Sequence, residues 1–292
     1  MLNTYGSPDP PREGLGVLTM WSESVDTNLK SKLDTCQAIL RDLVGVVVAF
    51  SGGVDSTLLL ALARQTLGRE KVLAALGVSP SLPQREKQAA ADLARQVDVE
   101  LVEIETGEFE DPEYARNPPD RCYICKSALL RRLLDLARER SLPAVVTGAN
   151  ADDQGDFRPG LRAGAELGVR SPLLEAGLTK QDIRDASRAM GLPTWNKPSR
   201  ACLASRFPYG ASLTVESVGR VERAEYVLQD LGFTQCRVRD HQALARIEVP
   251  VEELPRVLER RETIVKSLRD LGYTYITLDI AGFRSGSMNE LL

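Results

Sequence analysis

Three groups of residues in this chain have side chains and spacing suited to chemistry. The first is Ser51-Gly52-Gly53-Val54-Asp55-Ser56, which follows Val44-Gly45-Val46-Val47-Val48-Ala49-Phe50, a run with no polar side chain. A buried strand would deliver this loop to an apolar-rich helix from Thr57 to Leu67, so that backbone N–H groups and two hydroxyls face one point with no bulk between them. An anion should sit there. A P-loop needs a Lys after its last Gly, and none is present, so this is a different phosphate cradle. The second group is Cys122-Tyr123-Ile124-Cys125, after Asn117-Pro118-Pro119-Asp120-Arg121 and before a predicted helix from Lys126 to Arg140. Two thiols with this spacing reach one metal centre, form a redox pair, or simply pack; a loop-to-helix junction favours thiolate. The third group lies further on. The irregular stretch from Trp195 to Gly210 carries Lys197, Arg200, Cys202, Ser205 and Arg206, and the strand Gln235 to Arg239 places Arg237 and Arg239 on one face. Like charges side by side predict an anion near them, because each guanidinium fork suits a carboxylate or phosphate. Glu225 and Glu248 are the carboxylates available to balance them.

The elements that position these groups alternate. Apolar residues Leu29, Leu33, Cys36, Leu40 and Leu43 recur at helical spacing, and Cys36 fits that stripe as core. After the first strand, loop and helix come a strand at Lys71 to Val78, a helix at Gln84 to Gln96, a strand at Glu100 to Ile104 and a strand at Ala144 to Thr147. This alternation predicts an α/β fold with a doubly wound parallel sheet, whose ligands bind beyond the carboxyl ends of the strands. Gly52, Ser79 and Gly148 fall there. Among Asp152, Asp153 and Asp156, which follow Gly148, one carboxylate is a candidate Mg²⁺ ligand and the rest are expected to be solvated. Thr179 is a predicted N-cap for a helix reaching Met190.

A repeat marks the end of the chain: Leu228-Gln229-Asp230-Leu231-Gly232-Phe233-Thr234, and forty residues later Leu268-Arg269-Asp270-Leu271-Gly272-Tyr273-Thr274. Each reads as a helix end, a Gly cap and a strand start. With a strand at Arg246 to Val249 they predict a smaller C-terminal α+β domain in which Cys236 is core. The expected division is a flexible segment over 1–20, an α/β domain over 21–204 and the α+β domain over 205–292.

Composition narrows the classes. With 292 residues, 27% charged and a net charge of −4, nothing predicts a general affinity for nucleic acid. No apolar segment approaches the roughly 20 residues of a membrane span, and no secretory signal pattern opens the chain, so a cytoplasmic protein is expected. Its five cysteines are then unlikely to form a disulfide framework. A single histidine, His241, rules out His-rich zinc sites.

The loop Ser51 to Ser56 resembles that of the ATP pyrophosphatases, and the longer pattern resembles one branch of them, the LarE sulfur transferases. The resemblance rests on that loop with Phe157-Arg158-Pro159-Gly160, Ser205-Arg206-Phe207-Pro208-Tyr209-Gly210, Arg237-Val238-Arg239 and Gly282-Phe283-Arg284-Ser285-Gly286. It implies a Rossmann-like pyrophosphate-loop domain in which Ser51, Gly52, Gly53, Asp55, Ser56, Ser79 and Gly148 hold ATP with Mg²⁺. It further implies adenylation of a carboxylate of pyridinium-3,5-biscarboxylic acid mononucleotide, then conversion to a thiocarboxylate for a nickel-pincer cofactor. Asp55, Ser56 and Cys202 would be catalytic; Ser205, Arg206, Arg237 and Arg239 would hold the nucleotide substrate. Members that sacrifice a cysteine carry it where this chain has Ala201 and lack Cys122 and Cys125. This chain is similar to the three-cysteine members, which implies a [4Fe–4S] cluster on Cys122, Cys125 and Cys202 that delivers the sulfur. A homo-oligomer supplied by sulfide or a sulfur-relay donor is expected. Two other readings stand beside it: a tRNA-thiolating enzyme with the same loop, against which the acidic balance weighs, and a regulatory ATP-binding module.

Overall fold

The computed structural model describes residues 26–155, 159–199 and 201–284. The segment 1–20, Asp156, Phe157, Arg158, Arg200, Ser285 and Gly286 lie outside the described residues. In chain order the first part contains α1 (Thr27–Leu43), β1 (Val46–Ala49), α2 (Val54–Leu67), β2 (Val72–Val78), α3 (Gln84–Gln96), β3 (Glu100–Glu105), α4 (Pro112–Ala115), α5 (Arg121–Glu139), β4 (Ala144–Val146), α6 (Pro159–Glu166), α7 (Pro172–Glu175) and α8 (Lys180–Ala189). All four strands are parallel, in the order β3-β2-β1-β4. Alternation along β1 divides the core. Val46 and Val48 pack with α1, α2, α3 and α8, while Val47 packs with Leu130, Leu133 and Ala163 of α5 and α6 on the other face. Helices thus cover both faces, as a doubly wound sheet requires. The order reverses at β1, which has β2 on one side and β4 on the other, so the crevice for ligands opens beyond the end of β1.

Helix α2 is apolar nearly all round. Leu58, Leu59, Leu60, Ala61, Leu62 and Ala63 are fully buried. Burying each leucine contributes roughly 1.5–3 kcal/mol, so the helix that presents the loop is anchored by its whole length.

The second sheet belongs to α9 (Val215–Asp230), β5 (Arg237–His241), β6 (Leu244–Glu248), α10 (Leu254–Glu259), α11 (Arg261–Asp270) and β7 (Tyr275–Leu278). Its order is β5-β6-β7, antiparallel and then parallel. The sequence repeat closes both long helices identically. Gly232 and Gly272 have φ of 91° and 95°, and the N–H groups of Phe233 and Tyr273 donate to Leu228 and Leu268 carbonyls at 3.1 and 3.2 Å. This is a Schellman closure with its apolar contact buried, since Phe233 and Tyr273 join the same core as Leu228 and Leu268.

Some expected element bounds differ from the structure. The helix after the cysteines begins at Arg121, not Lys126, so Cys122 and Cys125 sit within its first two turns. Arg121 explains this: its buried guanidinium donates to Asn117 Oδ1 and to the Ala204 carbonyl, which fixes the turn by tertiary contact where local propensity is poor. The strand expected at Gln235 to Arg239 runs from Arg237 to His241. The expected domain junction at 204–205 falls inside a 3₁₀ turn, Leu203–Arg206, whose Leu203 and Ala204 pack with Tyr114, Phe207 and Val221.

Candidate active site

Strand β1 ends in Ala49, and Gly53 becomes the N-cap of α2 with no side-chain cap bond. The first N–H groups of α2 are therefore presented to the crevice, where the helix dipole favours an anion. Hydroxyls hold the loop in shape: Ser51 N–H donates to Ser56 Oγ at 3.2 Å, the two serine oxygens are 3.1 Å apart, and Ser56 Oγ donates to the Gly53 carbonyl at 3.2 Å. Gly52 has φ of 68°, the left-handed region that favours glycine, and a Cβ there would stand 3.1 Å from that of Ala90. Gly148, beyond the end of β4, lies against the same loop; a Cβ on it would be 3.0 Å from Ser56 N. The loop is a cradle that only small residues can build.

Two cavities open from it. One of about 340 Å³ is lined by Ser51, Gly53, Asp55, Ser79, Cys125 and Cys202, among others. The other, about 730 Å³, is lined by Ser51, Asp55, Ser56, Cys122, Lys126 and Gly148, among others. Asp55 and Ser51 face both. Ser79 is held by Ser81, their oxygens 2.9 Å apart.

Cys122 and Cys202 are exposed, Cys125 is half-buried, and all five cysteines are free thiols; Cys36 and Cys236 are buried in the two cores. The Cys125 thiol is pushed up to about 12, first by burial and then by the neighbouring Glu108, Cys202 and Cys122. Burial and nearby negative groups thus outweigh the helix start, contrary to the thiolate expected from position alone. Among the described residues no three His, Cys, Asp or Glu side chains are placed to hold one metal ion. An all-thiol donor set is the chemistry that an iron–sulfur cluster takes.

The arginines are mostly occupied. Arg206 forms a bidentate pair with Glu225 (2.8 and 3.0 Å), and its remaining nitrogen donates to the carbonyls of Ala201 and Cys202 and to Ser205 Oγ. Arg239 pairs with Glu248 through two bonds of 2.9 Å and donates to the Ser205 carbonyl at 2.8 Å. Both buried ion pairs therefore grip the segment that carries Cys202. Neither solvent nor a bare anion site surrounds Arg239. Arg237 differs: it stacks on Phe283 at 4.3 Å, and burial, then repulsion from Arg206 and Arg239, lowers it to about 10. Removing one partner of a buried pair strands a charge, so Glu248→Ala should destabilise the chain by about 3–5 kcal/mol in urea unfolding. A loss below about 1 kcal/mol would show that Arg239 finds other compensation.

Several site residues escaped sequence reasoning. Lys180 Nζ bonds Asp55 Oδ2, Asn150 Nδ2 bonds Asp55 Oδ1 at 3.2 Å, and Lys197 Nζ bonds the Gly52 carbonyl at 3.0 Å. Buried Glu108 accepts from Thr106 and lies 4.0 Å from Cys125 Sγ. Lys180 follows a recognisable N-cap, and Lys197 lay in the cation-rich stretch; Glu108 left no sequence signal. Asp152 and Asp153 are not simply solvated. They accept from the N–H groups of Lys180 and Asn150 at 2.8 and 3.0 Å.

Residues 22–112 match the family model described as NAD synthase. The chain is 42% identical over 266 residues to an uncharacterized protein of Synechocystis sp., a match spanning 90% of this chain and 99% of the relative. It is 40% identical over 264 residues to the pyridinium-3,5-bisthiocarboxylic acid mononucleotide synthase of Lactiplantibacillus plantarum, covering 90% of this chain and 96% of that enzyme. The chain belongs to the LarE family. A shorter match to argininosuccinate synthase of Synechococcus sp., 27% over 183 residues, covers 58% of this chain and 44% of the other. As a LarE-family member the chain is an enzyme, and its N-terminal sheet is the ATP-using pyrophosphate-loop unit. Among the described residues no helix is long and apolar enough to cross a membrane.

Proposed function

We propose that this enzyme uses ATP to adenylate a carboxylate of pyridinium-3,5-biscarboxylic acid mononucleotide and then replaces AMP by sulfur, leaving a thiocarboxylate for a nickel-pincer cofactor. The observation that carries the reading is the meeting of the cradle with Cys125 and Cys202 in one cavity, which brings phosphate activation and sulfur chemistry to one place. The cradle holds the β and γ phosphates on the N-terminus of α2. Asp55 would hold Mg²⁺ together with phosphate oxygens, the usual mode for this ion. Cys122, Cys125 and Cys202 would hold a [4Fe–4S] cluster, which would supply sulfur without consuming a protein thiol. Arg206, Arg239 and Ser205 fix the Cys202 segment beside the reacting carboxylate. Arg237 has no carboxylate bonded to it among the described residues and is the donor best placed for an anionic group of the substrate.

We assign residues 21–204 to the ATP pyrophosphatase domain and 205–292 to the substrate domain, and expect a cytoplasmic homo-oligomer supplied by sulfide or a sulfur relay. Phosphorus NMR of the reaction with the dicarboxylate should show AMP and pyrophosphate; ADP and phosphate would exclude adenylation. Arg237→Lys should weaken binding of the dicarboxylate by roughly tenfold or more, because a point charge cannot match a planar two-oxygen group. Unchanged binding in a calorimetric titration would remove Arg237 from the substrate site.

A further inference from the structure

We infer that Glu222 and Tyr226 are positioning residues: from α9 they hold the N-terminus of α3, and through α3 they set the phosphate cradle against the segment that carries Cys202. The inference rests on the adenylation reading above and adds to it the contact that aligns the two halves of the reaction.

Helix α3 has no cap of its own. Its N-cap is Pro83, which makes no side-chain cap bond, so the first N–H groups of the helix need partners from elsewhere. Two of those partners come from α9. Gln84 N–H donates to Glu222 Oε1 at 2.6 Å and Arg85 N–H donates to Tyr226 Oη at 3.0 Å, across 138 and 141 positions. Tyr226 Oη in turn donates to Glu222 Oε1 at 2.7 Å, which fixes the phenol as the acceptor for Arg85. The Arg85 side chain reaches back to α9: its guanidinium lies 4.1 Å from the Tyr226 ring and 2.7 Å from Asp230. A carboxylate also suits the positive end of the α3 dipole.

The residues that follow in α3 face the cradle. Glu86 takes the Lys197 ammonium at 2.8 Å, and Lys197 donates to the Gly52 carbonyl at 3.0 Å. One turn later Ala90 abuts Gly52, so closely that a Cβ on Gly52 would stand 3.1 Å from its own. On α9, Glu225 holds the other half of the site. It pairs with Arg206 at 2.8 and 3.0 Å and accepts from Val238 N–H at 3.1 Å, between Arg237 and Arg239. Arg206 then donates to the Cys202 carbonyl. Just ahead of α3, Leu203 N–H donates to the Ser81 carbonyl at 2.9 Å. That tie alone would leave α3 free to swing about it; the second tie, at Gln84 and Arg85, sets its direction. The seam is polar, and Gln84 and Arg85 are exposed, whereas α3 and α9 bury apolar side chains in separate cores. Losing the seam therefore changes alignment more than folding.

The test compares full-length wild type with Glu222→Ala, Glu222→Gln and Tyr226→Phe. AMP formation from the dicarboxylate and magnesium ATP is assayed, and hydrogen exchange is followed over 51–60 and 81–90. Glu222→Ala and Tyr226→Phe should lower kcat roughly ten- to a hundredfold, with both KM values within about threefold of wild type, because each ligand keeps its own contacts and only their alignment is lost. Glu222→Gln keeps an acceptor for Gln84 and Tyr226 and should retain most of the rate. Exchange in the cradle and at the start of α3 should quicken about tenfold in Glu222→Ala and stay near wild type in Glu222→Gln. Should Glu222→Ala fail to fold, Tyr226→Phe, which removes one hydroxyl, carries the same expectations. Unchanged kcat, cradle exchange indifferent to the variants, or equal losses in Glu222→Gln and Glu222→Ala overturns the inference. If wild type forms no AMP from the dicarboxylate but cradle exchange still depends on Glu222, the substrate reading fails and the positioning role stands.

Discussion

Replacing Cys122, Cys125 or Cys202 singly with Ser is expected to abolish sulfur transfer while AMP and pyrophosphate still form. The expectation follows from where the thiols lie. None belongs to the loop, the phosphate hydroxyls or the ion pairs that hold the fold, so their loss leaves the adenylation machinery standing. All three line one or other of the two cavities that share Asp55 and Ser51. On the proposed reading a cubane held by three thiolates would lose one ligand, so each substitution should release most of the iron that reconstituted wild type holds. Cys36→Ala is the control, since that thiol is buried in the apolar core and lines neither cavity. It should keep iron and turnover, with some loss of stability. Full multiple-turnover transfer in any one of the three Ser variants would refute the three-thiol centre.

The second large effect belongs to the loop. Asp55→Ala should slow AMP formation about a thousandfold or more, because it removes the carboxylate that meets both cavities, Asn150 and Lys180, where metal and phosphate charge must be organised. Gly148→Ala should act through geometry, since its methyl would press on Ser56 N and displace the first turn of α2. Both should fold, as the core of α2 does not involve either side chain. AMP formation within about tenfold of wild type in Asp55→Ala would place the chemistry elsewhere.

Local features of this fold were legible because they follow from local physics. The run Val46 to Ala49, the small-residue loop and the apolar helix behind it name a strand, a cradle and a buried helix on their own. Gly232 and Gly272 announce their caps by type and context. Features made by tertiary contact were not legible. The early start of α5 depends on Arg121 reaching the Ala204 carbonyl, which no periodicity reports. Nor was the pairing of Arg206 with Glu225 and of Arg239 with Glu248 legible, since their spacing in sequence permits it but does not demand it. Lys180 approaches Asp55 across 125 positions, and only the assembled sheet brings them together.

The most direct test of the account is the product of anaerobically reconstituted wild-type enzyme given the dicarboxylate mononucleotide, magnesium ATP and sulfide. Mass spectrometry should find oxygen replaced by sulfur in a carboxyl group, in several equivalents per chain and in step with AMP, while the protein keeps its own mass. Hydrolysis of ATP without a sulfur-containing product would contradict the account, and so would transfer that stops at one equivalent while Cys202 loses its sulfur.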